Sequence, residues 1–359
     1  MTFSVSIEER ALRQTDCVSR LRFLRGVQMR RRGRRDCAAR AGRIGLTALV
    51  LCFANQLDRS KASAPVVQTA LPMVAVSPLA ETIWLVEENA FRGLYSNGLI
   101  VRREHETTAT PRRYHAYQRE TLKRSDQSFT VPAGIVFHTT ESQIVPLEQA
   151  QTNTLLRSRQ DVLDHAHNSQ CYNFVIDRFG QVFRVVPEDQ TALHAGHSIW
   201  ASGETVWIDL NESFLGISFE AETAQAFAPS AAQIHSGRLL TEMLRSRFAI
   251  PGENCVTHAQ VSVNPDNARI GYHTDWGSSF PFLQLGLPDN YALPVAAVAI
   301  FGFLHDDTFL QALDKRLWSG LLAADRGIAR QATEQGLTAR EFSIQLQQRY
   351  RNLRRQRHG

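Results

Sequence analysis

Residues 134–138 read Gly-Ile-Val-Phe-His, a short β-branched and aromatic run that predicts a buried strand ending on a histidine. Runs of the same kind recur at 172–177, 182–186, 214–219 and 255–258. Helical patterns alternate with these runs, which is typical of an α/β domain. We therefore predict a mixed β-sheet flanked by helices in the central part of the chain.

Two helices and one turn can be read from the same region. A helix is predicted from Pro146 to about His165, and a second from about Ser230 to Phe248, where Pro251-Gly252 would stop it. Asp177-Arg178-Phe179-Gly180 lies between two strand-like runs and predicts a hairpin turn, with glycine supplying the positive φ.

Composition and pattern together divide the chain. Its 359 residues are 43% hydrophobic and 21% charged, which excludes the disordered and fibrous classes. We predict four segments: a signal or targeting segment at 1–64, an irregular N-terminal extension at 65–130, the α/β domain at 131–290, and a helical C-terminal extension at 291–359. One strand is expected at 99–102 within the N-terminal extension, and helices are expected at 307–324 and 338–353 within the last segment.

The positive charge is concentrated at one end. The formal net charge is +5, but residues 1–61 contain thirteen Arg and one Lys against five acidic residues, so that stretch carries +9 and the remainder −4. Because the excess lies in a terminal segment and not on a folded face, we expect no nucleic-acid partner.

The N-terminal segment has the order of a secretory signal. A basic cluster at 30–35 precedes an uncharged apolar run at 44–54, and the small residues 62–64 supply a cleavage site, which predicts export to the periplasm or cell envelope. Met29 precedes the cluster and is the expected start. The apolar run is shorter than the ~18 residues that span a bilayer, so no stable membrane anchor is expected. A disordered basic tail is the alternative.

Three residues are candidate metal ligands: His138 and His258, each at a strand end, and Asp275 in a loop that follows. Two neutral imidazoles and one carboxylate leave a fourth tetrahedral position for water, which is the arrangement of catalytic zinc. A closed structural site would need a fourth protein ligand.

Six blocks of sequence surround these ligands in one order. They are Ile-Val-Phe-His-Thr-Thr-Glu at 135–141, Tyr-Asn-Phe-Val-Ile-Asp-Arg-Phe-Gly at 172–180, Val-Pro-Glu-Asp leading to His-Ala-Gly at 186–196, Asn211 with Leu-Gly-Ile-Ser-Phe at 215–219, Val-Thr-His at 256–258, and Tyr-His-Thr-Asp with Phe-Pro at 272–281. In this order the chain resembles the type 2 N-acetylmuramoyl-L-alanine amidases, a family that includes peptidoglycan recognition proteins and phage amidase-type lysozymes. The resemblance covers about residues 131–285.

The resemblance implies a fold, a cofactor and a reaction. The fold is a mixed sheet with helices packed on it, and Zn2+ lies in a groove over one face, held at the positions of His138, His258 and Asp275. The reaction is hydrolysis of the amide between the lactyl group of N-acetylmuramic acid and L-alanine of the peptidoglycan stem peptide. Peptidoglycan or a muropeptide is then the substrate.

Two positions depart from the bacterial pattern. Bacterial members usually carry Glu where this chain has Ser218, and Lys where it has His273. Tyr172 aligns with a tyrosine that assists catalysis in recognition proteins. Strand alternation puts Glu220 on the same side as Ser218, so Tyr172 and Glu220 are the first candidates for proton transfer, ahead of Glu141.

Further roles follow from the same blocks. His273 is expected to donate a hydrogen bond to the oxyanion or a proton to the leaving amine. His194 and Ser218 are expected to bind substrate, and Asn211 to cap or orient a loop. Three tryptophans are candidates for stacking on sugar rings, with packing the expected role of at least one: Trp200, Trp207 and Trp276.

The sequence is compatible with three functions. The first is an exported zinc amidase acting on peptidoglycan. The second is a binding module of the same fold without turnover, which the residues at 218 and 273 would favour. The third is an intracellular metal-binding structural protein.

Overall fold

A computed structural model describes residues 82–142, 152–223, 228–305, 307–313 and 317–358 of the protein. The predicted signal segment 1–64 and the predicted helix start at Pro146 lie outside these residues. Within the described part of the chain, no helix combines the length and apolar character needed to cross a membrane.

The strands and helices follow one another along the whole described chain. The strands are β1 (Leu85–Glu88), β2 (Arg92–Tyr95), β3 (Ile100–Arg102), β4 (Tyr117–Gln118), β5 (Gly134–Thr139), β6 (Phe174–Ile176), β7 (Val182–Arg184), β8 (Ile199–Ser202), β9 (Thr205–Ile208), β10 (Phe214–Phe219), β11 (Cys255–Thr257), β12 (Val263–Asn264) and β13 (Arg269–Ile270). The helices are α1 (Thr152–Ser169), α2 (Ala231–Phe248), α3 (His258–Val261), α4 (Ala296–Phe301), α5 (Asp307–Ala312), α6 (Ser319–Glu334) and α7 (Ala339–His358).

Eight strands form the main sheet, in the order β1-β2-β3-β7-β6-β10-β5-β11. β10 pairs in parallel with both β5 and β6, and β5 pairs in parallel with β11. β6 and β7 form an antiparallel hairpin whose turn has Gly180 at φ 78°, as predicted. The predicted mixed sheet with flanking helices is confirmed.

α2 covers one face of this sheet. Its N-terminus is closed by a capping box in which the Ser230 side chain accepts the Gln233 N–H and the Gln233 side chain accepts the Ser230 N–H. The helix ends at Phe248 because Ala249 adopts a left-handed conformation, before Pro251 is reached. Apolar side chains of α2 and of alternate strand positions form a buried cluster that includes Leu240, Met243, Leu244, Ile135, Phe137, Leu215 and Ile217.

The other positions of the central strands point to the opposite face. His138 lies directly opposite Ser218 in the β5–β10 ladder, and Val136 lies opposite Gly216. Because side chains alternate along a strand, these four residues face away from α2. The candidate site therefore lies on this second face.

Two expectations about the flanking segments need correction. Residues 65–130 are predicted to be irregular apart from a strand at 99–102. β3 confirms that strand, but β1 and β2 also belong to the main sheet, in which β3 lies parallel to β7. The four-residue strands β1 and β2 are too short to show a periodic pattern in sequence. The single helix predicted at 307–324 is also wrong, since α5 ends at Ala312 and α6 begins at Ser319.

The C-terminal helices share a core with the central domain. Side chains of β8 and β9 pack with those of α4, α6 and α7 in one buried cluster, which includes Ile199, Val206, Phe301, Leu321, Phe342 and Tyr350. At the end of α7, Arg357 donates to the Ile208 carbonyl at 2.8 Å and pairs with Asp209 at 3.1 Å. The division of the chain into four segments stays a prediction.

The buried Arg112 side chain connects its own segment to residues 188–190 and to residues 212–214. Its side chain is 1% exposed. The guanidinium donates to the carbonyls of Glu188 (2.9 Å), Gln190 (2.9 Å), Glu212 (2.7 Å) and Phe214 (3.1 Å). Burial lowers the pKa of Arg112 to about 10, so the group stays charged at neutral pH. This one side chain holds the segment after β7 against the start of β10.

Replacing Arg112 tests this connection. We expect Arg112→Met to lower the free energy of unfolding by about 2–4 kcal/mol, because several buried carbonyls lose their donor. The matched control is Arg113→Met, since Arg113 is exposed and donates to the Ser128 hydroxyl at 3.0 Å. Urea unfolding followed by circular dichroism measures both, and equal losses in the two variants would contradict the assigned role.

Candidate functional site

The three candidate ligands meet at one edge of the sheet. His138 lies near the end of β5, His258 begins α3 immediately after β11, and Asp275 lies in the following loop. β5 and β11 run parallel, so their carboxyl ends reach the same edge, where α/β proteins commonly bind ligands. One potential ligand atom from each residue lies within 4.8 Å of the other two, and all three side chains are buried.

The imidazole nitrogens that face Asp275 are both Nδ1. His138 Nδ1 lies 3.2 Å from Asp275 Oδ2, and His258 Nδ1 lies 3.0 Å from Asp275 Oδ1. The loop is held in place because the Ala259 N–H donates to the Asp275 carbonyl at 3.2 Å. The structure thus brings the three predicted ligands together around one point.

The electrostatics suit a cation at that point. Burial, together with the neighbouring His258, lowers the pKa of His138 to about 4, so its ring is neutral at neutral pH. A carboxylate and neutral imidazole are the protonation states in which these residues bind metals.

The outer nitrogens of both imidazoles contact one loop. His138 Nε2 lies 3.0 Å from His194 Nδ1, and His258 Nε2 lies 3.3 Å from the Ala195 carbonyl oxygen. Asn211 Oδ1 accepts the N–H groups of His194 at 2.9 Å and Ala195 at 2.6 Å. The prediction that Asn211 orients a loop is confirmed.

The His194 ring is held within the protein, and its predicted role in substrate binding stays a prediction. The His194 side chain is fully buried, and its Nε2 lies 3.2 Å from the Phe214 carbonyl oxygen while Nδ1 faces His138. Both ring nitrogens are therefore used within the protein. Burial, with the neighbouring His138, holds the pKa of His194 well below its ordinary value.

Ser218 lies on the sheet beside His138. It is the directly opposite residue on β10, and its hydroxyl is buried with no hydrogen-bond partner in the described part of the chain. Its predicted role in substrate binding stays a prediction.

Two of the predicted catalytic residues lie against the ligand rings. The Tyr172 ring centroid is 5.3 Å from that of His138, and the His273 ring stacks on His258 at 4.4 Å with an interplanar angle of 18°. Tyr172 has φ 59°, which is uncommon for an aromatic residue and often accompanies functional sites. The His273 N–H donates to the Ser262 hydroxyl at 3.0 Å.

The two candidate carboxylates lie beyond the strand ends. Glu220 directly follows β10, and its Oε2 accepts the Arg178 N–H at 3.2 Å. Burial raises the pKa of Glu220 to about 7. Glu141 follows β5, and its Oε1 accepts the Thr223 hydroxyl at 3.2 Å.

Sequence reasoning missed two residues that shape the site. Gly216 lies under His194, where an added Cβ would come within 2.6 Å of the His194 ring. A lone glycine inside a strand pattern was the available signal, because it often marks a close approach. Arg112 had no comparable signal, since it reads as part of a basic stretch.

The tryptophans proposed to stack on sugars are packing residues. Trp200, Trp207 and Trp276 are 1%, 9% and 4% exposed. The first two lie in the cluster beneath the second face and the third in the cluster with α2. The stacking prediction is wrong for all three in this structure.

Comparison with known proteins gives a family for this domain. Residues 128–278 match the family model described as N-acetylmuramoyl-L-alanine amidase. That range contains all three candidate ligands. This matched segment, under half of the chain, is similar to that family. A search of curated proteins found no match.

Several solved structures are similar to part of the chain. The amidase AmiD from E. coli, in complex with anhydro-N-acetylmuramic acid-L-Ala-D-gamma-Glu-L-Lys, is 23% identical with a TM-score of 0.33, over 47% of this chain and 62% of AmiD. AmpDh3 from Pseudomonas aeruginosa is 17% identical with a TM-score of 0.36, over 56% of this chain and 91% of that one. Drosophila peptidoglycan recognition protein SD is 17% identical with a TM-score of 0.28, over 43% and 84%.

The raised pKa of Glu220 predicts a pH-dependent stability. Between its ordinary value of 4.5 and about 7, the folded state holds more protons on this group than the unfolded state, so its contribution to stability falls as pH rises. At 1.36 kcal/mol per pKa unit, the raised pKa lowers the free energy of unfolding by about 3 kcal/mol once the pH is above 7. We expect Glu220→Gln to be more stable than the native protein by up to that amount at pH 8, and by little near pH 5.

Urea unfolding at the two pH values measures the difference. Glu204→Gln, which changes an exposed carboxylate, is the matched control. A stability difference for Glu220→Gln that does not change with pH would contradict the raised pKa.

Proposed function

We propose that the protein is a zinc-dependent N-acetylmuramoyl-L-alanine amidase that cleaves the amide between N-acetylmuramic acid and L-alanine of peptidoglycan stem peptides. The observation that carries this proposal is the buried cluster of His138, His258 and Asp275 within the segment that matches the amidase family. Export to the periplasm or cell envelope belongs to the same proposal and is supported by the order of residues 30–64.

The donor set fits zinc. Two imidazole nitrogens and a carboxylate converge, which matches the three protein ligands of catalytic zinc sites and leaves one position open. When bound, zinc supplies an activated water at neutral pH and polarises the carbonyl of the scissile amide.

The surrounding residues have the chemistry that amide hydrolysis still requires. His273 lies against His258, and in our proposal it donates a hydrogen bond to the developing oxyanion or a proton to the leaving amine. The hydroxyl of Ser218 faces the same side of the sheet as His138 and is proposed to contact the substrate.

Proton transfer from the attacking water is assigned to Tyr172 or Glu220. Tyr172 is supported by its contact with the His138 ring. Glu220 is supported by its pKa of about 7, because a general base is most effective when its pKa lies near the working pH. The dependence of kcat/KM on pH distinguishes the two residues. If Glu220 is the base, the fall of kcat/KM at low pH should be absent in Glu220→Gln.

A binding module without turnover is the second candidate. It is favoured by Ser218 and His273, which stand where bacterial members of the resembled family usually carry Glu and Lys. Under this candidate, metal and muropeptide bind but no stem peptide is released.

Metal removal tests the proposal directly. We expect the purified full chain to contain about one zinc per molecule by elemental analysis and to release free stem peptide from N-acetylmuramoyl peptides, as measured by chromatography. A chelator should abolish release and added Zn2+ should restore it.

Asp275→Asn should bind little zinc and show no release, whereas His235→Ala, which replaces an exposed histidine on α2, should behave as the native protein. Zinc binding without release over a range of pH would support the binding module instead.

His273→Ala tests the proposed helper. We expect kcat to fall by about 10²–10³-fold, the loss typical of one oxyanion donor, because the ring touches His258 but is not a ligand. Zinc content should remain at about one per molecule. Unchanged hydrolysis by a zinc-loaded His273→Ala would exclude the role.

A further inference from the structure

We infer that His194 is a positioning residue, which fixes through one hydrogen bond the nitrogen that His138 presents to the metal. The inference rests on the proposed function only in taking the cluster of His138, His258 and Asp275 as a zinc site. It concerns the tautomer of a metal ligand, which can be measured before any metal or substrate is added.

The Phe214 carbonyl fixes which nitrogen of the His194 ring carries the proton. His194 Nε2 lies 3.2 Å from this oxygen, and a carbonyl oxygen only accepts hydrogen bonds, so Nε2 must carry the proton. The Arg112 guanidinium donates to the same oxygen at 3.1 Å, which disfavours a second positive charge on the buried His194 ring. In a neutral imidazole with a protonated Nε2, Nδ1 is an acceptor.

His194 in turn fixes which nitrogen of the ligand His138 carries the proton. His194 Nδ1 lies 3.0 Å from His138 Nε2 and can only accept, so His138 must carry its proton on Nε2. The lone pair of His138 Nδ1 then points at Asp275 Oδ2, 3.2 Å away. Metal-bound histidines are commonly held in this way by a partner on the other nitrogen.

The same loop sets the second imidazole. His258 Nε2 lies 3.3 Å from the Ala195 carbonyl oxygen, which again requires the proton on Nε2 and leaves the lone pair on Nδ1. Asn211 holds this loop by accepting the N–H groups of both His194 and Ala195. Adjacent residues of one loop therefore orient both imidazole ligands.

The outcome is a point where three acceptors converge. Two Nδ1 lone pairs and the Asp275 carboxylate lie within 4.8 Å of one another. A proton on His138 Nδ1 would satisfy Asp275 but would break the bond to His194. The hydrogen bonds through His194 therefore disfavour a proton on His138 Nδ1 and favour a metal cation at this point.

Gly216 provides an independent way to disturb His194. A Cβ at this position would come within 2.6 Å of His194 Cγ and 2.9 Å of its Cβ. Gly216 pairs in a regular ladder on β10, and its backbone is not in the left-handed region, so alanine is compatible with the strand. Gly216→Ala should therefore act by displacing the His194 ring.

Two substitutions at His194 separate hydrogen bonding from packing. His194→Leu removes the acceptor that faces His138. His194→Asn keeps an oxygen acceptor at about the same number of bonds from the backbone. His235→Ala, on the exposed side of α2, is the control for the loss of a histidine.

The experiment uses full-length, metal-free protein labelled with ¹⁵N-histidine. Long-range ¹H–¹⁵N correlation spectra report which ring nitrogen carries the proton, and calorimetry reports the Kd for Zn2+. We expect the native protein and His194→Asn to show His138 protonated on Nε2. In His194→Leu and Gly216→Ala, the Nδ1-protonated form should appear and the Kd for Zn2+ should rise about 10–100-fold, the loss typical of removing such a partner.

The outcomes distinguish this inference from the proposed function. An unchanged His138 tautomer and unchanged Kd in a folded His194→Leu would overturn the inference, as would equal losses in His194→Leu and His194→Asn. If His194→Leu does not fold, as judged by circular dichroism, His194→Asn and Gly216→Ala decide the matter. A native protein that shows the expected tautomer and binds zinc but releases no stem peptide would sink the amidase proposal alone.

Discussion

Everything at this site depends on the convergence of three hydrogen-bond acceptors at one sheet edge. A carboxylate and two imidazole lone pairs would repel one another, and only a cation or a proton relieves the repulsion. The parallel pairing of β5 with β11 brings two of the groups to this edge, and the loop that carries Asp275 supplies the third. The surrounding hydrogen bonds favour the cation, because they have already assigned the protons of both imidazoles to their outer nitrogens.

Buried groups, most of them backbone carbonyls, hold this arrangement in place. The Phe214 carbonyl receives His194 from one side and Arg112 from the other, so a single oxygen at the start of β10 joins the ligand shell to the N-terminal segment. Arg112 also holds the chain near Glu188 and Gln190. The residues before the amidase-like segment are therefore part of what positions the site, in keeping with the addition of β1, β2 and β3 to the main sheet.

Much of the central fold was predictable, for a physical reason. β5 and β10 are continuous apolar runs because both faces of these strands are covered, and α2 has a clear stripe and a capping box. The ligands were predictable because their residue types and order resemble a known family. The four-residue strands β1 and β2 and the division between α5 and α6 were not, since short elements are specified by the partners they pack against and not by local periodicity.

By itself the sequence determined the strands β5 and β10 and the helix α2, because periodicity is a local property, and it identified the three candidate ligands through their resemblance to a known family. Only the tertiary structure decided that the His194 ring faces His138, that Gly216 makes room for this ring, and that Arg112 donates to the same Phe214 carbonyl that His194 contacts. These three relations join residues from distant parts of the chain. Only Gly216 left a signal in the sequence, because a glycine inside a strand pattern marks a close approach, but it does not name the partner.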